Sequence, residues 1–450
     1  MNTQKVKQFA AVQKAKAILK MLPRISDQKL LEFPLVRKGL DSVAYYPEGR
    51  DFLQSLLIHG RRATGQCSSR RLSKFAENLI VNELIAAGPR REEFHSRAGF
   101  HPPFFLVLSP TMRCNLNCFG CYAGQYDKIE ELNSQLIHRL LNEAREMGIY
   151  FLTISGGEPF LRKDLLDIFA DHDDLYFQVY TNGTLIDRPL ARTLSRLGNV
   201  LPAISVEGWE KETDRRRGRG TFKAILSAMS NLKEEGVLFG FSATATRQNN
   251  ELILGEDFVQ FWAAQGCFIG WYFNYIPIGK GPAMDLMPTP EQRIFRRRRL
   301  VELRQTAPII LCDFWNDGPL VGGCIAGDRY LHINSRGEVE PCVFVHFSVD
   351  NVKEKALAEI LNSSFFQAIR RRRPYSANHY RPCMIIDHPR ILREIVRECG
   401  AHPTHPEAEM ILTDYAGDLD QYAEAYGKMA DALWKEQSQI LPNLPRQLVV

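Results

Sequence analysis

At 450 residues, 45% of them apolar and 24% charged, the chain has the make-up of a globular protein with room for two or three domains. No apolar run approaches the roughly eighteen residues of a membrane span, and Lys14, Lys16 and Lys20 interrupt the stretch where a signal peptide would need its apolar core. Ten cysteines without such a signal indicate a reducing compartment, read as the cytoplasm, and metal or redox use of the thiols. The net charge of +5 is gathered at Arg215 to Arg217, Arg296 to Arg299 and Arg370 to Arg373. Such runs are ordinarily solvated helix faces; the alternative is an anionic partner such as lipid headgroups or phosphate. No nucleic-acid motif accompanies them, and no nucleic acid is expected.

Residues 1–97 read as a helical region. Phe9, Val12, Leu19 and Leu22 recur at helical spacing in a basic segment, and Ser68 to Ala87 form a second helical stretch. The first is either a surface helix packed on the fold or a basic amphipathic helix giving a possible peripheral membrane contact. From Pro103 to about Gly281, short apolar runs alternate with helical segments. The expected strands are Phe104–Leu108, Tyr150–Ile154, Tyr176–Tyr180, Ala203–Val206, Leu238–Thr244 and Trp271–Ile276, with helices such as Asn133–Met147 and Lys163–Ala170 between them. The expected fold is α/β, a partial (β/α)6 TIM-like barrel, with chemistry at the C-terminal ends of the strands.

Directly behind the first strand, Cys114, Cys118 and Cys121 stand at Cys-x3-Cys-x2-Cys spacing. Thiolates are the standard ligands of iron–sulfur clusters, and a cubane cluster usually takes four. Three local thiols would leave one iron open. Structural zinc sites usually offer two Cys or His pairs, and no His lies within ten residues here, but zinc stays open on spacing alone. The second strand ends in Ser155-Gly156-Gly157-Glu158-Pro159, the third in Thr181-Asn182-Gly183-Thr184 and the fourth in Ser205-Val206-Glu207-Gly208. Paired glycines allow close approach of backbone to a ligand, and a carboxylate can accept from a bound ammonium; each segment taken singly is equally a hydrogen-bonded turn. Asp214-Arg215-Arg216-Arg217-Gly218 and Gly220-Thr221-Phe222 follow. On the sixth strand Trp271, Tyr272, Asn274 and Tyr275 are core residues or the lining of a substrate pocket.

Beyond Arg299, Cys324, Gly337 and Cys342 fit Cys-x12-Gly-x4-Cys around a hairpin-like Leu331 to Glu340. Cys383 and Cys399 come later, and the chain closes on a helix from Asp418 to Gln439. His402 and His405 fit an ordinary loop better than a metal site, and Cys67 and Cys267 read as ordinary thiols.

In combination these segments resemble the radical S-adenosylmethionine (SAM) superfamily, over residues 100 to 400, with an ending like the SPASM and Twitch auxiliary-cluster domains. The resemblance implies that Cys114, Cys118 and Cys121 hold a [4Fe–4S] cluster and that Gly156, Gly157 and Glu158 serve the SAM amino group. It places Thr181, Asn182, Ser205 and Glu207 near the rest of SAM and Arg217 at its carboxylate. It implies a second, auxiliary [4Fe–4S] cluster on Cys324, Cys342 and Cys383, with Cys399 or Cys312 as fourth ligand or the fourth position open. The dense cysteine group of a full SPASM domain is absent, which favours a shortened, Twitch-like form. The aromatic residue that many members carry before the third cysteine is Gly120 here.

The expected divisions are 1–97 helical, 98–299 the SAM-binding barrel, 300–400 a small α+β cluster domain and 401–450 a helical tail. The implied reaction is one-electron cleavage of SAM to a 5′-deoxyadenosyl radical, which takes hydrogen from an unactivated carbon. A flavodoxin or ferredoxin would supply the electron. The substrate is left between a peptide or protein and a lipid or other small molecule, the helical N-terminus and basic runs favouring the latter; a non-catalytic metal scaffold is the non-enzyme alternative.

Overall fold

A computed structural model of the chain describes residues 21–42, 47–65 and 73–440, together with Ala17. Phe9, Val12 and Leu19 of the expected first helix, and Cys67, lie outside the described residues. Before residue 99 the described segments are helical, including Pro47–Thr64 and a π-helical Ala76–Ala86 that runs on into Ala87–Ala98.

The six expected strands form, with ends shifted by a few residues: β1 (Phe105–Leu108), β2 (Phe151–Ile154), β3 (Tyr176–Thr181), β4 (Val200–Val206), β5 (Gly240–Ala245) and β6 (Ile269–Asn274). Neighbours pair in parallel, as in Phe105↔Phe151 and Phe151↔Tyr176. Strands covered on both faces need continuous apolar runs, which is why they stand out in the sequence. The helices between them bury one stripe each. In Ser134–Glu146, Leu136, Ile137, Leu140, Leu141 and Ala144 face the sheet, and the Asn133 side chain caps the first turn by accepting from Leu136 N at 2.7 Å.

The sheet extends past six strands. A seventh, β7 (Ile310–Asp313), pairs with β6, and β8 (Tyr330–Ile333) pairs in parallel with β1 and antiparallel with β9 (Val339–Glu340). The order is β7-β6-β5-β4-β3-β2-β1-β8-β9. In a flat sheet β7 and β8, seven steps apart, would lie roughly 34 Å from each other. Yet the rings of Phe314, just after β7, and Tyr330 on β8 meet edge to face at 5.8 Å, and Tyr180 on β3 meets Phe273 on β6 at 5.6 Å. The sheet therefore curls round until its two ends face each other, without hydrogen bonds between β7 and β8. The expected division at residue 299 falls inside the helix Pro290–Thr306, and β8 is bonded to β1, so the chain beyond 299 continues the barrel sheet.

The arginine runs are only partly solvated faces: Arg215, Arg298 and Arg371 are exposed, but others are not. Within Pro290–Thr306, Arg293, Arg296, Arg297 and Arg304 are buried. Arg293 pairs with Asp387 at 2.6 Å and lies over the Tyr426 ring; Arg296 pairs with Asp313 at 2.8 Å, Arg297 with Glu48, and Arg304 with Asp317 at 2.7 Å. One helix thus fastens β7, the cluster-domain segment, the tail helix Ala416–Ile440 and the N-terminal helix Pro47–Thr64. In the other runs Arg216 and Arg217 pair with Glu207, Arg371 and Arg372 with Glu398, and Arg373 with Asp328. Internal pairing consumes much of the charge that suggested an anionic surface partner. Among the described residues no helix is long and apolar enough to cross a membrane.

Arg296 and Asp313 are both 0% exposed, so neither charge can turn to water if its partner is lost. Asp313→Asn keeps the side-chain shape but leaves Arg296 uncompensated, at an expected cost of about 3–5 kcal/mol. The urea midpoint reads this, and a midpoint equal to the parent's would show that the pair does not stabilise the fold.

Candidate active site

The cysteine loop leaves the C-terminal end of β1 and is fastened from three sides. From β2, Gly157 N donates to Thr111 O at 2.9 Å and Glu158 N to Arg113 O at 2.8 Å. Added Cβ atoms at Gly156 and Gly157 would come within 2.3 Å of Thr111 O and 2.0 Å of Arg113 O. The two glycines are thus demanded by the loop's own backbone, where the sequence suggested approach to a ligand. From β3, Asn182 Nδ2 donates to Asn115 Oδ1 at 2.9 Å and reaches Cys114 Sγ at 3.7 Å. From the turn after β6, Lys280 N donates to Cys121 O at 2.9 Å.

Glu158 has partners within the protein. Its carboxylate is fully buried and accepts from Thr181 Oγ1 and Asn182 N, both at 2.8 Å, and from Phe160 N at 3.1 Å. Burial raises its pKa while the three donors oppose the rise. The side chain locks the end of β3 to the end of β2. Thr181 and Asn182 enter the site through this lock. Ser205 lies on β4, its Oγ 3.4 Å from Ser242 Oγ.

Glu207 and Arg217, assigned to separate parts of SAM, are partners. Glu207 is almost fully buried and takes Arg217 Nε at 2.9 Å and Nη2 at 2.5 Å on one oxygen, and Arg216 Nη1 at 2.5 Å on the other. Arg216 also donates to the carbonyls of Phe119 and Gly120, both at 3.3 Å, tying the pair to the cysteine loop. Nothing in the local pattern set Arg216 apart from its neighbours.

Gly120 also has a reason in the fold. Its φ is +61°, and a Cβ there would come within 2.8 Å of the Tyr275 ring. The aromatic residue directly after β6 thus occupies the space beside the third cysteine. Tyr272 and Asn274 are buried in the wall, with Tyr272 OH donating to Ile253 O at 3.0 Å, whereas Trp271 lines a cavity.

That cavity, of about 270 Å³, lies at the seam between β7 and β8. Cys324, Cys342 and Cys383 share its wall with Phe105, Trp271, Phe314, Trp315, Tyr330 and Phe344. Cys312, on β7, lines it as well. Cys399 does not; it ends the helix Pro389–Cys399 beside Ser364, Glu398 and Arg372. His405 is buried against His346, with Nε2 2.6 Å from His346 Nδ1, and His402 lies 3.2 Å from Glu338.

All nine described cysteines are free. Burial pushes the Cys114 and Cys118 thiols up, with Arg217 and Arg216 pulling against it at Cys118. Burial likewise raises Cys324, Cys342 and Cys383, the last to about 12. Both groups are nonetheless equipped for thiolates. Backbone N–H groups two residues on point at sulfur, Leu116 at Cys114, Phe344 at Cys342 and Ile385 at Cys383, each at 3.4 Å. Buried thiolates need such donors and a cationic partner, and thiolate sets of this kind suit iron–sulfur clusters. Among the described residues no three His, Cys, Asp or Glu side chains converge tightly enough to share a single metal ion.

Comparison with known proteins agrees with this arrangement. The radical SAM superfamily model matches residues 108–250, and the SPASM model, an iron–sulfur cluster-binding domain, matches residues 324–384. The chain is 28% identical over 331 residues to Fe-coproporphyrin III synthase of Methanosarcina barkeri, covering 62% of this chain and 79% of that one. It is 27% identical over 281 residues to PqqA peptide cyclase of Xanthomonas axonopodis pv. citri, covering 58% and 75%. The crystal structure of Streptococcus suis SuiB bound to S-adenosylmethionine shares the fold, with a TM-score of 0.54 at 18% identity over 72% of this chain and 83% of that one. The chain is a radical SAM enzyme, using a [4Fe–4S] cluster and S-adenosylmethionine, with a SPASM iron–sulfur domain at residues 324–384.

Proposed function

We propose that Cys114, Cys118 and Cys121 hold the SAM-binding [4Fe–4S] cluster and that SAM lies against the ends of β2 to β5. The observation that carries this is the fastening of one thiol loop by β2, β3, the turn after β6 and the Glu207–Arg216 pair. When bound, the cluster and SAM supply a 5′-deoxyadenosyl radical by one-electron reductive cleavage. The chain's own residues hold the geometry. Gly156, Gly157 and Glu158 fix the loop, and the backbone carbonyls of this turn, with the Glu158 carboxylate already engaged, are offered to the SAM ammonium. Arg217 keeps Nη1 for the SAM carboxylate, since Glu207 engages only Nε and Nη2. Thr181, Asn182 and Ser205 line the remaining polar rim.

For the auxiliary cluster we propose Cys324, Cys342 and Cys383 as ligands and Cys312 as the fourth. Cys312 shares their cavity and Cys399 does not. The divisions serving these roles are a helical cover before about residue 98, the SAM-binding barrel, the auxiliary segment to about 400 and the tail helix.

The substrate reading favoured here is a small molecule of tetrapyrrole type. The match to Fe-coproporphyrin III synthase, which runs over 331 residues, supports it. The match to a peptide cyclase supports modification of a peptide as the second reading. Flavodoxin or ferredoxin is proposed as electron donor. The free thiols fit a cytoplasmic setting, and the internally paired arginines give little support to a peripheral membrane contact.

Anaerobically reconstituted protein should hold about eight irons and release 5′-deoxyadenosine from SAM under dithionite. Cys118→Ala is expected to abolish that release, and release at the parent rate with an intact cluster would refute the ligand assignment. Gly157→Ala, which pushes a methyl into Arg113 O, should lower iron by about four per chain while sparing the auxiliary cluster. Parent-level iron would show that the loop tolerates displacement. Cys312→Ala should weaken auxiliary iron retention and Cys399→Ala should not; the reverse pattern would exchange their roles. An iron porphyrin substrate should raise nucleoside release several-fold above the substrate-free rate, and stimulation only by a precursor peptide would select the second reading.

A further inference from the structure

We propose that Tyr330 is a positioning residue of the auxiliary centre, whose hydroxyl donates to the Cys342 thiolate and holds the cluster potential more positive than thiolate ligation alone would. The inference rests on the assignment of Cys324, Cys342 and Cys383 as ligands. Tyr330 OH is directed at Cys342 Sγ in close contact, and both side chains are buried. No other acceptor of that phenol is present among the described residues. The ring cannot easily swing away: it stacks on Phe105 at 5.1 Å and 6° and meets Phe314 edge on at 5.8 Å. Its place is set in turn by the β1–β8 register, Phe105↔Tyr330.

The three auxiliary thiols are not equivalent in this respect. Backbone N–H groups serve all three, Ala326 doing so for Cys324, but Cys342 alone has a hydroxyl donor. Arg373, paired with Asp328, adds positive charge beside Cys324. One-electron reduction adds a negative charge that spreads onto the sulfurs. A donor aimed at sulfur stabilises the reduced state more than the oxidised one, and so raises the reduction potential.

The test uses the full chain carrying both clusters, with iron content and an EPR-monitored redox titration that resolves the two centres. Tyr330→Phe removes the hydroxyl and keeps the stacked ring. The auxiliary midpoint should move to more negative potential, while iron content and the SAM-cluster midpoint stay at parent values. Difluorotyrosine incorporated at position 330 is a stronger donor and should move the auxiliary midpoint the other way. If Tyr330→Phe loses iron, the sign of the shift in the difluorotyrosine protein decides. An unchanged auxiliary midpoint in the iron-replete variants would overturn the role of Tyr330 and leave the ligand assignment standing. Parent protein that binds only about four irons would overturn both.

Discussion

The incomplete closure of the sheet governs this molecule. Nine strands curl until β7 and β8 face each other, yet no backbone hydrogen bond joins them, and a seam lined with apolar rings is left between. A parallel barrel that closed fully would fill its interior with side chains. Here the seam leaves room for a buried centre, and the segment that crosses it supplies Cys324, Cys342 and Cys383. Tyr330 stands on β8 and Cys312 on β7, so the two lips of the seam bring an aromatic donor and a further thiol to the same space. The thiols proposed to hold the auxiliary centre thus belong to the barrel wall, although they come late in the chain.

Holding such a seam open requires fastening elsewhere, and the helix Pro290–Thr306 provides it with buried charge. Arg293, Arg296, Arg297 and Arg304 pair with Asp387, Asp313, Glu48 and Asp317, and Arg293 also lies over the Tyr426 ring of the tail helix. Buried ion pairs add little net stability compared with apolar packing, because desolvation offsets attraction. Their geometry is directional, however, and an unpaired member is costly. They therefore suit a helix that must hold β7, the cluster segment, the tail and the N-terminal cover in one arrangement.

The SAM end of the barrel follows a similar logic. Residues that look like ligand contacts when read one motif at a time also hold one another. Glu158 grips Thr181 and Asn182, Glu207 grips Arg216 and Arg217, and the glycines at 156 and 157 make room for the carbonyls of Thr111 and Arg113. Three thiols on a flexible loop could not hold a cluster at a fixed distance from a bound cosubstrate. The surrounding polar residues give the loop that fixity, and this is the form of pre-organisation that radical chemistry needs if the reactive species is to meet only its substrate.

The strands were legible because buried parallel strands must be apolar throughout, and the cysteine loop because cluster ligation demands close spacing along the chain. Both are local signals, so β1 to β6, Cys114, Cys118 and Cys121 could be read directly, as could the pairing of Cys324 with Cys342 around a hairpin. What depends on residues far apart in the chain could not be read. Arginine runs at 296 and 371 look the same whether they face water or carboxylates contributed from elsewhere. Gly120 looks like a missing aromatic until Tyr275 is found packed against it. Cys312 and Cys399 are equally plausible partners of Cys383 along the chain, and only the curl of the sheet puts the first at the seam and the second on a distant helix end. The sequence by itself determined the spacing of the two thiol groups and the strands that present the first. The tertiary structure alone decided which polar groups those thiols face, because that depends on how far the sheet bends before its ends meet.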